Sequence, residues 1–129
     1  MIGYAMFGSN DLPKALAFYD GVLGAVGVGR LMAFPTGAVA YGSSWDKPML
    51  AIGTPHDGAA ATSGNGTMMA LTLDSRAKVD TMHAAALAAG GSDEGAPGVR
   101  GDEGAQAFYG GYFRDLDGNK LCAFAVGPA

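Results

Sequence analysis

Apolar positions along this chain alternate between short continuous runs and a three-to-four spacing, and the whole cycle occurs twice. Ile2 to Gly8 is an apolar run with strand character, and it ends at Ser9-Asn10-Asp11, whose short polar side chains suit a helix N-cap. Leu12, Ala15, Leu16, Tyr19 and Leu23 then recur at steps of three and four, which predicts one face of a helix ending near Gly21 to Gly24. Pro13 fits the first turn of that helix, where its missing N–H has no partner to lose. Three strand-like runs follow, Val26 to Phe34, Ala38 to Gly42 and Met49 to Thr54, with Pro35-Thr36-Gly37 and Ser43 to Pro48 between them as turns.

After a polar, Gly- and Ala-rich bridge from Pro55 to Gly66 the order repeats. Thr67 to Leu73 is apolar, and Asp74-Ser75 can cap a helix that carries Val79, Met82, Ala86 and Leu87 on one face and stops at Gly90-Gly91. A weak strand is expected between Ser92 and Val99, then strands at Gln106 to Arg114 and Lys120 to Val126. Asp11 and Asp74, each just before a helix, stand 63 residues apart, close to half of the 129-residue chain. The expected fold class is therefore α+β, one domain of two βαβββ modules (1–54 and 67–129) joined by a bridge (55–66). Either module alone would leave a sheet face bare and could not offset its ordering entropy. Pairing around a shared concave mixed sheet, with the helices outside, is the expected solution.

Composition narrows the possible partners. A hydrophobic content of 49% with 16% charged residues describes a globular chain, and a net charge of −4 offers no basic field to meet the phosphates of a nucleic acid. The single cysteine, Cys122, excludes an internal disulfide, which fits a reducing compartment. Met-Ile-Gly-Tyr-Ala-Met-Phe-Gly has no basic segment of the signal-peptide kind, and no apolar run has the length of a membrane span. A cytoplasmic domain without nucleic-acid or membrane partners is expected.

The stretch Tyr112 to Phe124 reads as a β-hairpin around Asp115-Leu116-Asp117-Gly118-Asn119, in which Asp, Gly and Asn supply the tight turn. Taken with Asp11-Leu12, Phe18-Tyr19, Gly64-Asn65-Gly66 and Arg114-Asp115, this hairpin resembles the last hairpin of the vicinal oxygen chelate superfamily, which includes glyoxalases, bleomycin-resistance proteins and ring-cleaving dioxygenases. The resemblance covers nearly the whole chain. It implies the paired βαβββ fold, homodimers whose clefts use both chains and, in the metal-using members, four ligands drawn from His, Gln and Glu.

Carried over by the resemblance, those ligand positions fall on Tyr4, on Ala51 or a neighbour, on Thr67 and on Cys122, none of them a usual ligand for an octahedral divalent metal. The two histidines, His56 in the bridge and His83 in the second helix, lack any short metal-binding spacing and read as a solvated loop residue and a packed helix residue. No cofactor is expected, and a divalent metal is disfavoured. Ser75-x-x-Lys78 matches one β-lactamase motif without its companions and reads as a helix cap. Asp93, Glu94, Asp102 and Glu103 read as a solvated loop, with a lid carrying Glu94 or Arg100 as the alternative. Cys122 reads as a small buried hydrophobe.

Strand alternation places Tyr4 with Met6, Thr67 with Met69 and Cys122 with Phe124, and the resemblance turns all six toward the concavity. Trp45, Met49, Tyr109 and Tyr112 are added from adjacent strands and loops. Walls of Tyr, Trp and Met suit an aromatic or apolar small molecule. A metal-free small-molecule-binding protein is the first functional expectation. A metal-dependent lyase, isomerase or dioxygenase of the lactoylglutathione lyase kind is the alternative, one that would need an unusual ligand set or Tyr4 and Cys122 as acid–base groups.

Overall fold

The computed structural model describes residues 1–129 and contains ten elements in the order β1 (Tyr4–Gly8), α1 (Leu12–Gly24), β2 (Gly29–Ala33), β3 (Val39–Gly42), β4 (Met49–Gly53), β5 (Met68–Thr72), α2 (Arg76–Ala88), β6 (Ser92–Arg100), β7 (Phe108–Arg114) and β8 (Lys120–Val126). The expected α+β fold and its repeated βαβββ order are what the chain adopts. Strand order is β1-β4-β3-β2 in one sheet and β5-β8-β7-β6 in the other, the first pair of each being parallel and the rest antiparallel.

The helices begin where side-chain caps meet free backbone donors. Asp11 Oδ1 accepts from the N–H of Lys14 at 3.3 Å, and Ser75 Oγ accepts from the N–H of Lys78 at 3.2 Å. The second cap is Ser75 rather than Asp74, so the modules repeat at 64 residues instead of 63. Strand bounds also differ from expectation. β2 starts at Gly29, not Val26, because the N–H groups of Ala25 to Val28 turn back onto Gly21, Leu23 and Gly24 carbonyls and Gly27 takes φ +82° to close the helix. β6, from Ser92 to Arg100, is the strand expected between Ser92 and Val99, and it takes Asp93 and Glu94 out of the solvated loop expected for them, leaving Asp102 and Glu103 beyond its end. It lies at the sheet edge with register shifts beside Gly95 and Gly98, an arrangement that tolerates Pro97.

The helices do not cover the outside of a shared concavity. α1 and α2 pack on each other, and a single core joins them to one face of each sheet. Phe7, Val39, Tyr41, Leu50 and Ile52 enter it from the first sheet, Leu121, Ala123, Ala125 and Phe113 from the second, and Phe18, Tyr19, Val22, Val79 and Met82 from the helices. The sheets therefore present these inner faces to the helix layer, and their other faces look outward. The β2–β3 hairpin is tied to α1 through Asp20, which accepts from the Tyr41 hydroxyl at 2.9 Å and from two Arg30 nitrogens at 2.8 Å. The Arg30 hydrogen bonds hold the Asp20 carboxyl below its ordinary range.

Gly91 shows how tightly α2 is joined to β6. A Cβ there would lie 2.6 Å from the Arg114 carbonyl oxygen, 2.9 Å from that of Ala86 and 3.1 Å from the Phe18 ring. Two of these neighbours are backbone and cannot rotate away, so Gly91→Ala is expected to destabilise the fold by about 1–3 kcal/mol. Urea unfolding of the variant checks this; an unchanged midpoint would mean that the junction relaxes freely.

Candidate functional site

Because side chains alternate along a strand, the residues between the core positions define the outer faces. On the first sheet these are Tyr4 and Met6 of β1, paired with Met49 and Ala51 of β4, and Ala40 of β3. Tyr4 and Met6 are 60% and 47% exposed, whereas Ala51 and Ala40 are buried and form a floor. Gly53 continues this floor, where a Cβ would approach Ala38 Cβ at 2.8 Å and Met6 Sδ at 3.6 Å. Trp45, in the β3–β4 turn, is 59% exposed.

On the second sheet the outer face holds Met68, Ala70 and Thr72 of β5, Lys120, Cys122 and Phe124 of β8, and Phe108, Gly110 and Tyr112 of β7. Phe108 and Phe124 stack with centroids 5.0 Å apart and rings 13° from parallel. This requires Gly110, since a Cβ there would lie 2.7 Å from the Phe108 ring. Burial pushes the Cys122 thiol up, against smaller opposing effects of Tyr112, Arg100 and Lys120. The thiol is thus protonated at neutral pH and a poor nucleophile. Burial, followed by the neighbouring Cys122, also raises the Tyr112 phenol.

Tyr4, Met6, Met49, Tyr112, Cys122 and Phe124 thus occupy outer faces, but on two sheets that one chain does not bring together. Met69 and Tyr109 point the other way: Met69 packs against the core, and the Tyr109 hydroxyl donates to Asp80 of α2 at 2.6 Å, with Arg76 over its ring. Thr67 precedes β5 in a turn whose N–H bonds the Gly64 carbonyl. The position equivalent to Tyr4 is Met68, which heads β5 as Tyr4 heads β1. Shifting a strand by one residue exchanges its two faces, which is why Thr67 and Met69 were expected on the wrong side.

With that correction, the positions to which the resemblance would assign metal ligands are Tyr4, Ala51 or a neighbour, Met68 and Cys122. No three His, Cys, Asp or Glu side chains converge anywhere in the structure, so its residues do not fit a divalent metal centre. His83 is buried, its Nε2 lying 3.1 Å from Asp93 Oδ1 and 3.2 Å from the Tyr112 carbonyl oxygen, while its ring meets the Phe113 ring edge-on; His56 is exposed in the bridge. Glu94 is bound by Arg114 rather than free as part of a lid.

A separate apolar cleft of about 640 Å³ opens between the modules beside β1 and β5, each an edge strand of its sheet. Ile2, Leu23, Leu50, Met69, Leu71 and Met82 line it, with Met49 at its rim. Sequence reasoning missed this cleft, because its walls come from both modules at long separation. It also missed Asp115, read only as a turn residue. That carboxylate is buried and accepts from the Tyr19 hydroxyl at 2.6 Å and from Asn119 Nδ2 at 2.9 Å. Its partner Tyr19 lies 96 residues away in the sequence, so the local turn signature gives no sign of this role.

The model of the Glyoxalase/Bleomycin resistance protein/Dioxygenase superfamily matches residues 1–123. Among solved structures, a glyoxalase/bleomycin resistance protein from Albidiferax ferrireducens T118 is 37% identical, with 97% of this chain and 98% of that chain covered and a TM-score of 0.85. A glyoxalase/bleomycin resistance protein/dioxygenase family enzyme from Burkholderia phytofirmans PsJN shares the fold at 20% identity, 96% and 97% coverage and a TM-score of 0.71. A member of the same superfamily from Sphaerobacter thermophilus DSM 20745 does so at 19% identity, 97% and 96% coverage and a TM-score of 0.67. No curated protein matches the chain. Neither helix is long and apolar enough to cross a membrane.

Proposed function

Because this chain belongs to the glyoxalase/bleomycin resistance protein/dioxygenase superfamily, we propose that it is a small-molecule-binding protein that works without the metal of the family's lyases and dioxygenases. Its ligand is apolar or aromatic and lies between the outer face of the first sheet in one protomer and that of the second sheet in its partner. The observation that carries this reading is the pair of outward apolar faces, with Tyr4, Met6 and Met68 exposed around floors of Ala51 and Cys122. A lone protomer would leave that surface in water, whereas a homodimer buries it and encloses a cavity. The residue set supports the absence of a metal: the four inherited positions supply one phenol, one methyl, one thioether and one protonated thiol.

Native mass spectrometry of the untagged protein as purified tests the reading. The expected result is a dimer carrying a bound organic molecule and no stoichiometric metal. A stoichiometric divalent metal would overturn it and restore the lyase, isomerase or dioxygenase alternative.

A further inference from the structure

Arg100 of β6 and Lys120 of β8 converge on one aromatic ring of the second sheet's outer face. The Arg100 guanidinium carbon lies 5.5 Å, and the Lys120 Nζ 5.6 Å, from the centroid of Tyr112. Both are within cation–π reach. Arg100 donates to the carbonyls of Gly98 at 3.0 Å and Ala96 at 2.7 Å, which fixes its head while leaving other N–H groups free.

Neither cation has a counter-charge within salt-bridge distance; the ion pairs of the chain all lie elsewhere. Of the two acids in β6, Asp93 is engaged with His83 and Glu94 with Arg114, although the charge of Lys120 reaches Glu94. Strands β1 to β4 contain no Asp or Glu, so closing the cleft with the first sheet of a second protomer brings no acidic strand residue to these cations. Two like charges held at one ring repel each other, and a protein of net charge −4 has acids to spare for pairing them. Their isolation is the feature that needs a ligand.

The chemistry changes along β8. Lys120, Cys122 and Phe124 share the outer face, so about 13 Å of strand runs from the cationic end to the stacked Phe108–Phe124 pair. We propose that Arg100 and Lys120 form an anion subsite and that the ligand is a monocarboxylate with an aromatic or alkyl body. Its carboxylate meets the two cations, and its apolar end lies over Cys122 and the phenylalanine pair. This assignment rests on the reading of the outer faces as the ligand cleft and adds the ligand's charge.

Isothermal titration of the intact protein with 4-phenylbutyrate, its neutral amide 4-phenylbutyramide and inorganic phosphate separates the two ideas. The acid is expected to bind at least about tenfold more tightly than the amide, with only the acid weakened by added salt, and phosphate to bind more weakly than the acid for want of an apolar body. Arg100→Gln and Lys120→Gln should each lower the acid's affinity about tenfold and leave the amide's unchanged, while Lys120→Arg retains binding. Thermal melts of each variant establish that it is folded. Equal affinity for acid and amide, or acid binding indifferent to both Gln variants, would overturn the anion subsite and leave the apolar cleft standing. Phosphate binding as tight as the acid's would overturn the carboxylate assignment. Binding of none of the probes would overturn both.

Discussion

Asp115→Ala is expected to lower the free energy of unfolding by about 3–5 kcal/mol, far more than a turn substitution ordinarily costs. The Asp115 carboxylate accepts from the Tyr19 hydroxyl at 2.6 Å, from Asn119 Nδ2 at 2.9 Å and from the backbone N–H groups of Asp117 and Asn119, both at 2.9 Å. Asn119 Nδ2 also donates to the Gly8 carbonyl at 3.1 Å, and Asp117 accepts from the Asn10 N–H at 2.8 Å. One hairpin turn of the second module thus holds both the helix and the first-strand exit of the first. Burial, and after it the Asp115 charge, pushes the Tyr19 phenol far above its ordinary value, so it remains a donor throughout the working pH range.

Removing the carboxylate leaves several buried donors without a partner, and each costs its desolvation. Tyr19→Phe removes one donor and leaves the others in place, so it should cost only about 1–2 kcal/mol. Urea unfolding of the two single variants and the double variant tests the arrangement. If Asp115→Ala costs no more than Tyr19→Phe, or if the two effects simply add, the turn is not the hub described above.

The second large effect concerns assembly. Combining Met6→Asp with Met68→Asp should convert the proposed dimer to a monomer, raising its dissociation constant about a hundredfold or more and abolishing ligand retention. The two side chains are 47% and 39% exposed in one protomer, so the isolated fold should barely register the change, within about 0.5 kcal/mol. In the closed cleft the carboxylate at position 6 would be stripped of water among methionines and aromatic rings, and the one at position 68 would be desolvated too, although it lies in register beside Lys120. Native mass spectrometry and a thermal melt measure both quantities together. A dimer that survives the double substitution would place the interface on another surface, with the inter-module cleft beside β1 and β5 as the next region to probe.

Much of the architecture is legible in the sequence, because it is written in local chemistry. The period of the apolar residues, the caps at Asp11 and Ser75, and the Asp-x-Asp-Gly-Asn turn are properties of neighbouring residues, and β8 runs from Lys120 to Val126 as expected. The site was less legible. Asp74 and Ser75 both suit an N-cap, and that one-residue ambiguity was enough to place Thr67 and Met69, rather than Met68, at the concave position. Tyr109 was assigned by composition to a pocket wall, yet Asp80, nearly thirty residues earlier in α2, holds it on the helix side.

By itself, then, the sequence determined the order of elements, their turns and the family. Which way the sheets face was decided only by the tertiary structure. Alternation tells inside from outside when one face is polar, but here both faces are apolar: Phe7 and Leu50 lie on one side, Tyr4, Met6 and Ala51 on the other. What broke the tie was the packing of α1 on α2, which claims one face of each sheet for the core. The other two faces are thereby left outside the core.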